Sequence, residues 1–269
     1  MSYINIKNVW KEYGDQVVLE RINNTVEKGD FITIVGASGC GKTTFLKMLL
    51  GTEGPSRGII TVANEPLHAE PDAQRGIVFQ RYSVFPHMTV LQNVVLAREF
   101  EKSRFLSRLF GSAKKQAVEE ALTMIEAVGL TPAINKYPHE LSGGMQQRLA
   151  IAQALIKKPR ILLLDEPFGA LDPGIRADMH QLVLDLWRRY KLTIFMITHD
   201  LKEAFYLGTR LWVFDKDRID PQAPGAFGAR ITYDMPVGSV DEKASAKIRE
   251  SLQQEDADLD EPAMSGVTP

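Results

Sequence analysis

The string GASGCGKTT, from Gly36 to Thr44, constrains the fold of this chain more than any other feature. It fits the pattern G-x-x-x-x-G-K-[ST] and follows the short apolar run FITIV, Phe31 to Val35. The residues after it, TTFLKMLL, favour a helix, and Gly51 is placed to cap that helix at its C-terminus. The sequence therefore predicts a strand, a glycine-rich loop and a helix N-terminus, in that order.

A loop of this kind is suited to binding phosphate. Glycines leave the backbone N–H groups free to close on phosphate oxygens, and the helix N-terminus adds partial positive charge. We expect Lys42 to place a full charge at the β and γ phosphates, and Thr43 to offer its hydroxyl to a bridging Mg²⁺. Taken alone, the string could also be an ordinary strand-to-helix turn.

The run ILLLDEP, Ile161 to Pro167, supplies a candidate for the second magnesium anchor. Its apolar residues are typical of a strand buried on both faces of a parallel sheet. Asp165 would end that strand at the edge where open α/β sheets bind ligands. Glu166, one residue on, is placed to orient or deprotonate the attacking water as general base. By itself the run could also be a strand that ends in two solvated acids.

A second string, LSGGMQQR, lies about a hundred residues after the first and begins at Leu141. Ser142 is expected to cap the helix that follows, and the free N–H groups of Gly143 and Gly144 would form an anion site with its hydroxyl. The string resembles the signature of ATP-binding cassette (ABC) ATPases. Five further residues match that family in order and approximate spacing: Tyr13, Gln80, Glu166, Asp172 and His199.

The resemblance covers about residues 2–220 and implies a role for each matching residue. Tyr13 would stack on adenine, and Gln80 would sense magnesium and the transmembrane partner. His199 would contact the γ phosphate, whereas Asp172 would lie at a dimer seam. Residues 142–144 would contact the γ phosphate of a nucleotide held by the other protomer. Singly, these residues also have plainer interpretations: a surface tyrosine, a polar strand end, a capping histidine and an N-cap serine.

Motifs and resemblance together predict ATP and Mg²⁺ as cofactors of an ATPase. The predicted catalytic residues are Lys42, Gln80, Glu166 and His199. The predicted magnesium ligands are Thr43, Gln80 and Asp165. The predicted nucleotide-binding residues are Tyr13, Gly36, Ala37, Ser38, Gly39, Cys40, Gly41, Lys42, Thr43, Thr44, Ser142, Gly143, Gly144 and Asp172.

Composition agrees with this interpretation. With 269 residues and 25% charged side chains, the chain is long enough to bury a sizeable core. A net charge of −2 argues against a strongly basic nucleic-acid-binding surface. The single cysteine, Cys40, excludes a disulfide within one chain and indicates a reducing compartment. Apolar runs such as ILLL fall far short of the ~20 residues that span a bilayer, so any membrane role is expected to come through partners.

The pattern predicts an α/β fold: a P-loop NTPase core with a mixed sheet, an antiparallel β subdomain and an inserted α-helical subdomain. Helical spacing begins near Phe85. The segments expected to form the antiparallel sheet are Tyr3–Val9, Val17–Val26, Ile59–Val62 and Gly76–Phe79.

Residues 1–240 are expected to form one ATPase domain. Its nucleotide-binding core would comprise 1–84 and 159–240, and its helical signature subdomain 85–158. Residues 241–269 are predicted to be an acidic, partly disordered tail. The basic, amphipathic segment 101–115 could contact lipid headgroups or a membrane partner, or be a solvated helix.

Within the family, GASGCGKTT, SVFPHMTVLQNV and EPFGALD resemble bacterial import ATPases that handle nitrate, sulfonates, taurine and similar small solutes. This resemblance implies a homodimer or heterodimer of ATPase subunits, transmembrane permease subunits and an external solute-binding protein. It places the chain at the cytoplasmic face of the membrane, with no nucleic-acid partner. Tyr82, Phe85 and Pro86 are the predicted docking segment for a short permease helix.

Three other functions share the phosphate loop. An exporter or lipid-trafficking ATPase would share most motifs. A DNA-maintenance ATPase would normally have long heptad arms or a large extra domain, which this sequence does not show. A P-loop kinase would have no use for LSGGMQQR or for GALDP.

Overall fold

The computed structural model describes residues 2–68, 70–79, 84–102, 111–218, 220, 222–223 and 225–237, without the side chains of 101 and 102. Gln80 and Tyr82 lie outside the described residues, as do 103–110 of the predicted basic segment and the whole of 241–269. Within the described part of the chain, two sheets and their helices form the predicted α/β fold, which is confirmed.

The first sheet is antiparallel, with strand order β2-β1-β4-β5. Its strands are β1 (Ile4–Tyr13), β2 (Gln16–Val26), β4 (Arg57–Val62) and β5 (Glu65–Pro66). Ile4 and Ile6 of β1 are buried while Lys7 and Asn8 are exposed, so one face of the sheet packs on the core and the other meets solvent.

The second sheet is mixed, with strand order β10-β9-β3-β8-β7-β6. Its strands are β3 (Phe31–Gly36), β6 (Arg75–Val78), β7 (Ile161–Asp165), β8 (Thr193–Ile197), β9 (Arg210–Asp215) and β10 (Arg230–Pro236). All neighbouring pairs are parallel except β9 and β10. Residues of β3, β7 and β8 are buried throughout, as expected for strands covered on both faces.

The strand predicted at Gly76–Phe79 is present as β6, but its predicted place in the antiparallel sheet is wrong. It pairs in parallel with β7, from Arg75 opposite Ile161 to Val78 opposite Leu164. A Cβ on Gly76 would lie 3.1 Å from the Ala154 carbonyl oxygen, so this strand packs closely against a helix end. Four residues are too few for alternation to assign a strand to one sheet or the other.

Six α-helices lie in the described ranges. They are α1 (Lys42–Leu50), α2 (Val90–Lys102), α3 (Gly111–Ala127), α4 (Gly143–Leu155), α5 (Pro173–Tyr190) and α6 (Leu201–Leu207). Gly51 ends α1 in the left-handed conformation and donates to the carbonyls of Lys47 and Met48. No helix in the described ranges is long and apolar enough to cross a membrane.

The mixed sheet separates two hydrophobic cores. Along β7, Ile161 and Leu163 point into the core shared with α1 and the antiparallel sheet. Leu162 and Leu164 point into the core formed with α2, α4 and α5. This alternation determines which side of the sheet each strand-end side chain faces, and so which of them lie beside the phosphate loop.

Candidate nucleotide-binding site

The site lies at the carboxyl ends of three neighbouring strands. β3 ends at Gly36, β8 at Ile197 and β7 at Asp165, and these strands are adjacent in the sheet. A cleft of about 400 Å³ opens there. Its lining residues are Tyr13, Gln16, Val18, Ser38, Gly39, Gly41, Lys42, Thr43, Thr44, Glu166 and His199. This edge is where open α/β sheets bind their ligands.

Two glycines of the phosphate loop are required by the space around them. A Cβ on Gly36, at φ 150°, would lie 2.1 Å from the carbonyl oxygen of Phe214. A Cβ on Gly41, at φ 90°, would lie 2.8 Å from Cδ2 of Leu19. The loop therefore passes closer to β9 and β2 than any side chain allows, and its backbone stays exposed to the cleft.

Lys42 is the first residue of α1, and its ammonium group sits inside the loop. Its Nζ donates to the carbonyl oxygens of Gly36 at 2.6 Å and Ala37 at 2.7 Å, and the residue is buried. A buried ammonium is stable only with such hydrogen-bond partners. The positive charge is thus held where the loop's N–H groups would meet phosphate oxygens.

Thr43 and Asp165, predicted from strings far apart in the sequence, meet beneath the cleft. The Thr43 hydroxyl donates to Oδ1 of Asp165 at 3.4 Å. Burial raises the pKa of the Asp165 carboxyl, and the neighbouring Glu166 carboxylate raises it further, against the lowering effects of Thr43 and Lys42. A hydroxyl and a carboxylate are hard oxygen donors, so this pair fits Mg²⁺.

Glu166 and His199 both line the cleft and contact each other directly. Glu166 Oε1 lies 2.6 Å from His199 Nε2. The Glu166 backbone is left-handed, at φ 48°, and its N–H donates to the Ile197 carbonyl oxygen at 3.1 Å. A non-glycine residue in this conformation is strained, and such strain is common where a side chain has a function.

Tyr13 stands at the rim of the cleft with its ring exposed. Its hydroxyl donates to Glu53, and Nζ of Lys11 lies 4.8 Å from the ring centroid. Desolvation raises the pKa of Tyr13, as does its bond to Glu53, and the same bond lowers the pKa of Glu53. Glu53 thus holds the hydroxyl end of the ring, Lys11 lies over the ring, and the residue also borders the cleft.

The signature residues lie elsewhere on the surface. Ser142 caps α4 as predicted, accepting from the Met145 N–H at 3.4 Å, and both Ser142 and Gly143 are exposed. None of residues 142–144 lines this chain's own cleft. Asp172, exposed at the N-cap of α5, is also absent from its lining.

Glu53, Gln16 and Val18 belong to the site region but were not predicted from the sequence. Gln16 and Val18 follow Tyr13 across a tight turn at alternate positions of β2, so they share one face with the cleft. The period-two alternation of that strand could have indicated them. Glu53 has no local signal, because its pairing with Tyr13 joins residues 40 positions apart.

A glycine-rich loop between a buried strand and a helix, with the loop threonine beside a strand-end aspartate, defines a P-loop nucleotide-binding protein. A sequence profile described as "ABC transporter" matches residues 19–169. The nitrate import ATP-binding protein NrtD of Synechocystis is 41% identical over 223 residues, 83% of this chain and 78% of that protein. The aliphatic sulfonates import ATP-binding protein SsuB of Bacillus licheniformis is 40% identical over 219 residues, 81% and 78% of the two chains.

Among solved structures, the dimeric structure of MJ0796, a bacterial ABC transporter cassette, superimposes with a TM-score of 0.71 at 28% identity. The match covers 88% of this chain and all of that one. The chain therefore belongs to the ABC transporter ATP-binding family. It is a nucleotide-binding ATPase coupled to transport, and the predicted family, fold and activity are confirmed.

Proposed function

We propose that two copies of this chain close head to tail around two ATP molecules and so drive solute import through membrane permease subunits. The observation that supports this most directly is the exposed N-terminus of α4. Ser142 and Gly143 present a hydroxyl and free N–H groups to solvent, outside the cleft of their own chain. Such an anion site gains a phosphate ligand when a second copy brings its own cleft against it.

Within each cleft, the proposed roles follow from position. Lys42 and the loop N–H groups hold the β and γ phosphates, and the ring of Tyr13 stacks on the base. Thr43 and Asp165 would hold Mg²⁺, which when bound neutralises charge on the phosphate oxygens. Glu166 takes a proton from the attacking water, and His199, 2.6 Å from it, orients that carboxylate. Gln80 lies outside the described residues, and its proposed role is to sense the metal and the permease.

The solute is proposed to be a small oxyanion. The two relatives above carry the names of nitrate and aliphatic sulfonate importers, and both of these solutes are small and negatively charged. An external binding protein would deliver the solute, and this chain would work at the cytoplasmic face. Export, lipid traffic and DNA maintenance have no comparable support among these relatives.

A groove of about 490 Å³ is the proposed docking surface for the permease. Three phenylalanines on its lining, Phe79, Phe85 and Phe100, are substantially exposed. The buried Asn93 fixes one wall, accepting from the Phe85 N–H at 2.8 Å and donating to the carbonyls of Phe85 and Met88. This volume and the exposed phenylalanines on the lining suit a short amphipathic helix of a membrane subunit.

The test of the proposed chemistry is Glu166→Gln. The amide keeps the shape of the side chain but cannot take a proton, so ATP should bind normally while kcat falls about 10²- to 10⁴-fold. With ATP present, the variant should elute as a dimer in gel filtration, and with ADP as a monomer. Wild-type turnover in this variant would show that Glu166 is not the base.

A further inference from the structure

A buried polar group lies behind His199, on the side away from the cleft. It consists of His180 on α5, Thr198 directly after β8, and Glu203 on α6. Thr198 and Glu203 are 4% and 6% exposed. No motif in the sequence singles out any of the three, and none of them lines the cleft.

Glu203 is the centre of this group because both of its carboxylate oxygens have partners. Oε2 accepts from the Thr198 hydroxyl, and Oε1 lies 2.7 Å from Nε2 of His180. A carboxylate buried to this degree is costly unless its oxygens are hydrogen-bonded, and apolar residues of similar size usually pack there at lower cost.

Thr198 links Glu203 to the backbone around His199. The Thr198 hydroxyl oxygen also accepts from the Asp200 N–H at 3.0 Å. The backbone N–H of Thr198 donates to the Ile34 carbonyl oxygen at 3.1 Å. His199 lies between the two residues joined by the first of these bonds. The backbone from which its ring projects toward Glu166 is therefore fixed on both sides.

The same group connects this backbone to α5, the helix that starts at the predicted dimer seam. His180 belongs to α5, and its ring packs edge-on against Phe168, two residues beyond Glu166, at 5.0 Å. One turn earlier on α5, Arg176 donates to the Leu171 carbonyl oxygen at 3.2 Å and lies 3.7 Å from Asp200. Two links one helical turn apart thus join α5 to the segment that carries His199.

We propose that Glu203 is a positioning residue for ATP hydrolysis: through Thr198 it holds His199 within bonding distance of Glu166, and through His180 it ties that position to α5. The proposal rests on the roles of Glu166 and His199 given under Proposed function. It assigns no contact with nucleotide to Glu203.

The variants that test it are Thr198→Val and Glu203→Met, which keep volume but remove the hydroxyl or the carboxylate. The wild-type dimer and its variants are assayed for ATPase rate well below their melting temperatures. We expect kcat to fall about tenfold in each, the effect of one charge-assisted hydrogen bond, with KM for ATP within about twofold. Thr198→Ser should restore kcat, and the exposed neighbour variant Lys202→Gln should match wild type.

A double-mutant cycle with His199→Ala separates positioning from general destabilisation. If Glu203 acts through His199, adding Glu203→Met to His199→Ala should slow single-turnover hydrolysis by less than about twofold. If Glu203→Met slows hydrolysis a further tenfold in the His199→Ala variant, Glu203 does not act through His199, and the proposed role of His199 itself is unaffected. A wild-type rate in His199→Ala by itself would overturn the role of His199, and the positioning role with it.

Discussion

Asp165 serves two purposes that oppose each other. As a strand-end residue it is enclosed between β7 and α1, which raises the pKa of its carboxyl through burial. As the proposed magnesium ligand it must be ionised. The buried carboxylate therefore lowers the stability of the nucleotide-free protein. Its proposed role in binding a cation explains why it is there, as is common at such sites.

This conflict predicts a more stable Asp165→Asn variant. Because the folded state binds the proton more readily than the unfolded chain, the stability linked to this group falls as pH rises from the ordinary value of 3.8 through the raised pKa. Without nucleotide, the variant should melt about 3 °C higher than wild type at pH 7.5. The difference should narrow as the pH is lowered from 7.5 toward the raised pKa, measured by differential scanning calorimetry.

Two controls make this prediction specific. Asp178→Asn, an exposed change on α5, should leave the melting temperature equal to that of wild type throughout this pH range. Addition of ATP and Mg²⁺ should stabilise wild type more than Asp165→Asn, since the variant lacks a metal ligand. An Asp165→Asn protein that melts below wild type at pH 7.5 would contradict the account.

At the scale of elements, the packing of α4 on α5 explains one signature glycine without reference to nucleotide. A Cβ on Gly144 would lie 2.5 Å from Cγ2 of Ile175, whereas one on Gly143 would come no closer than 3.7 Å to Leu171. The two glycines are therefore expected to differ in purpose. Gly144 allows two helices to approach, and Gly143 leaves an N–H group accessible at the surface.

Alanine substitution should separate the two purposes. Gly144→Ala forces a β-branched neighbour to move, so the free energy of unfolding should drop by about 1–3 kcal/mol. Gly143→Ala is the matched control on the same helical turn and should leave stability within about 0.5 kcal/mol of wild type. Urea denaturation of both variants gives the comparison, and equal stabilities would refute it.

The docking groove gives a second prediction at this scale. Phe100→Ser should reduce co-purification with the permease, because it removes the most exposed aromatic side chain on the lining, and the isolated subunit should keep its ATPase rate. Tyr233→Ser, on the edge strand β10, changes a similarly exposed aromatic residue outside the groove and serves as control. Equal recovery of both variants with the permease would argue against this surface.

Sequence patterns predicted elements best where their cause is local. The phosphate loop, the strand before Asp165 and the cap at Ser142 each depend on residue types at fixed short spacing. The strands β9 and β10 were not predicted, although LWVF in β9 has the apolar, β-rich character of a buried strand. β10 ends in Pro236 at a sheet edge, and its pairing with β9 spans a long connection that no local pattern encodes.

The site residues likewise divide into those indicated by the sequence and those that depend on tertiary packing. Thr43, Asp165 and Glu166 were predicted because phosphate and magnesium chemistry requires those residue types in recognisable strings, whereas His199 was predicted from the family resemblance. Glu203 was not, since its importance comes from burial and from partners on other elements. Distances between separate elements are set by tertiary packing, which spacing along the chain does not reveal.

At the scale of the whole molecule, the separation of the cleft from residues 142–144 allows complementation between damaged copies. Lys42→Ala removes the phosphate charge of one cleft, and Ser142→Arg blocks the anion site offered to the other. Each variant alone should be inactive. In an equal mixture, half of the dimers are mixed and contain one intact composite site, so about a quarter of wild-type activity should return.

A mixture of Lys42→Ala with Thr43→Ala is the matched control, because both changes damage the cleft and no mixed dimer contains an intact site. It should recover no ATPase activity. Absence of recovery in the first mixture as well would mean that each nucleotide is enclosed by a single copy.

The central place of β3 in the sheet also bears on how the protein is made. Its two neighbours, β8 and β9, occupy residues 193–197 and 210–215, and both are synthesised long after the phosphate loop. On the ribosome, the phosphate loop therefore emerges before either strand that pairs with β3 in the finished sheet. Chains that end before β8 lack both of these strands, and we expect them to bind ATP more weakly than the complete sheet does.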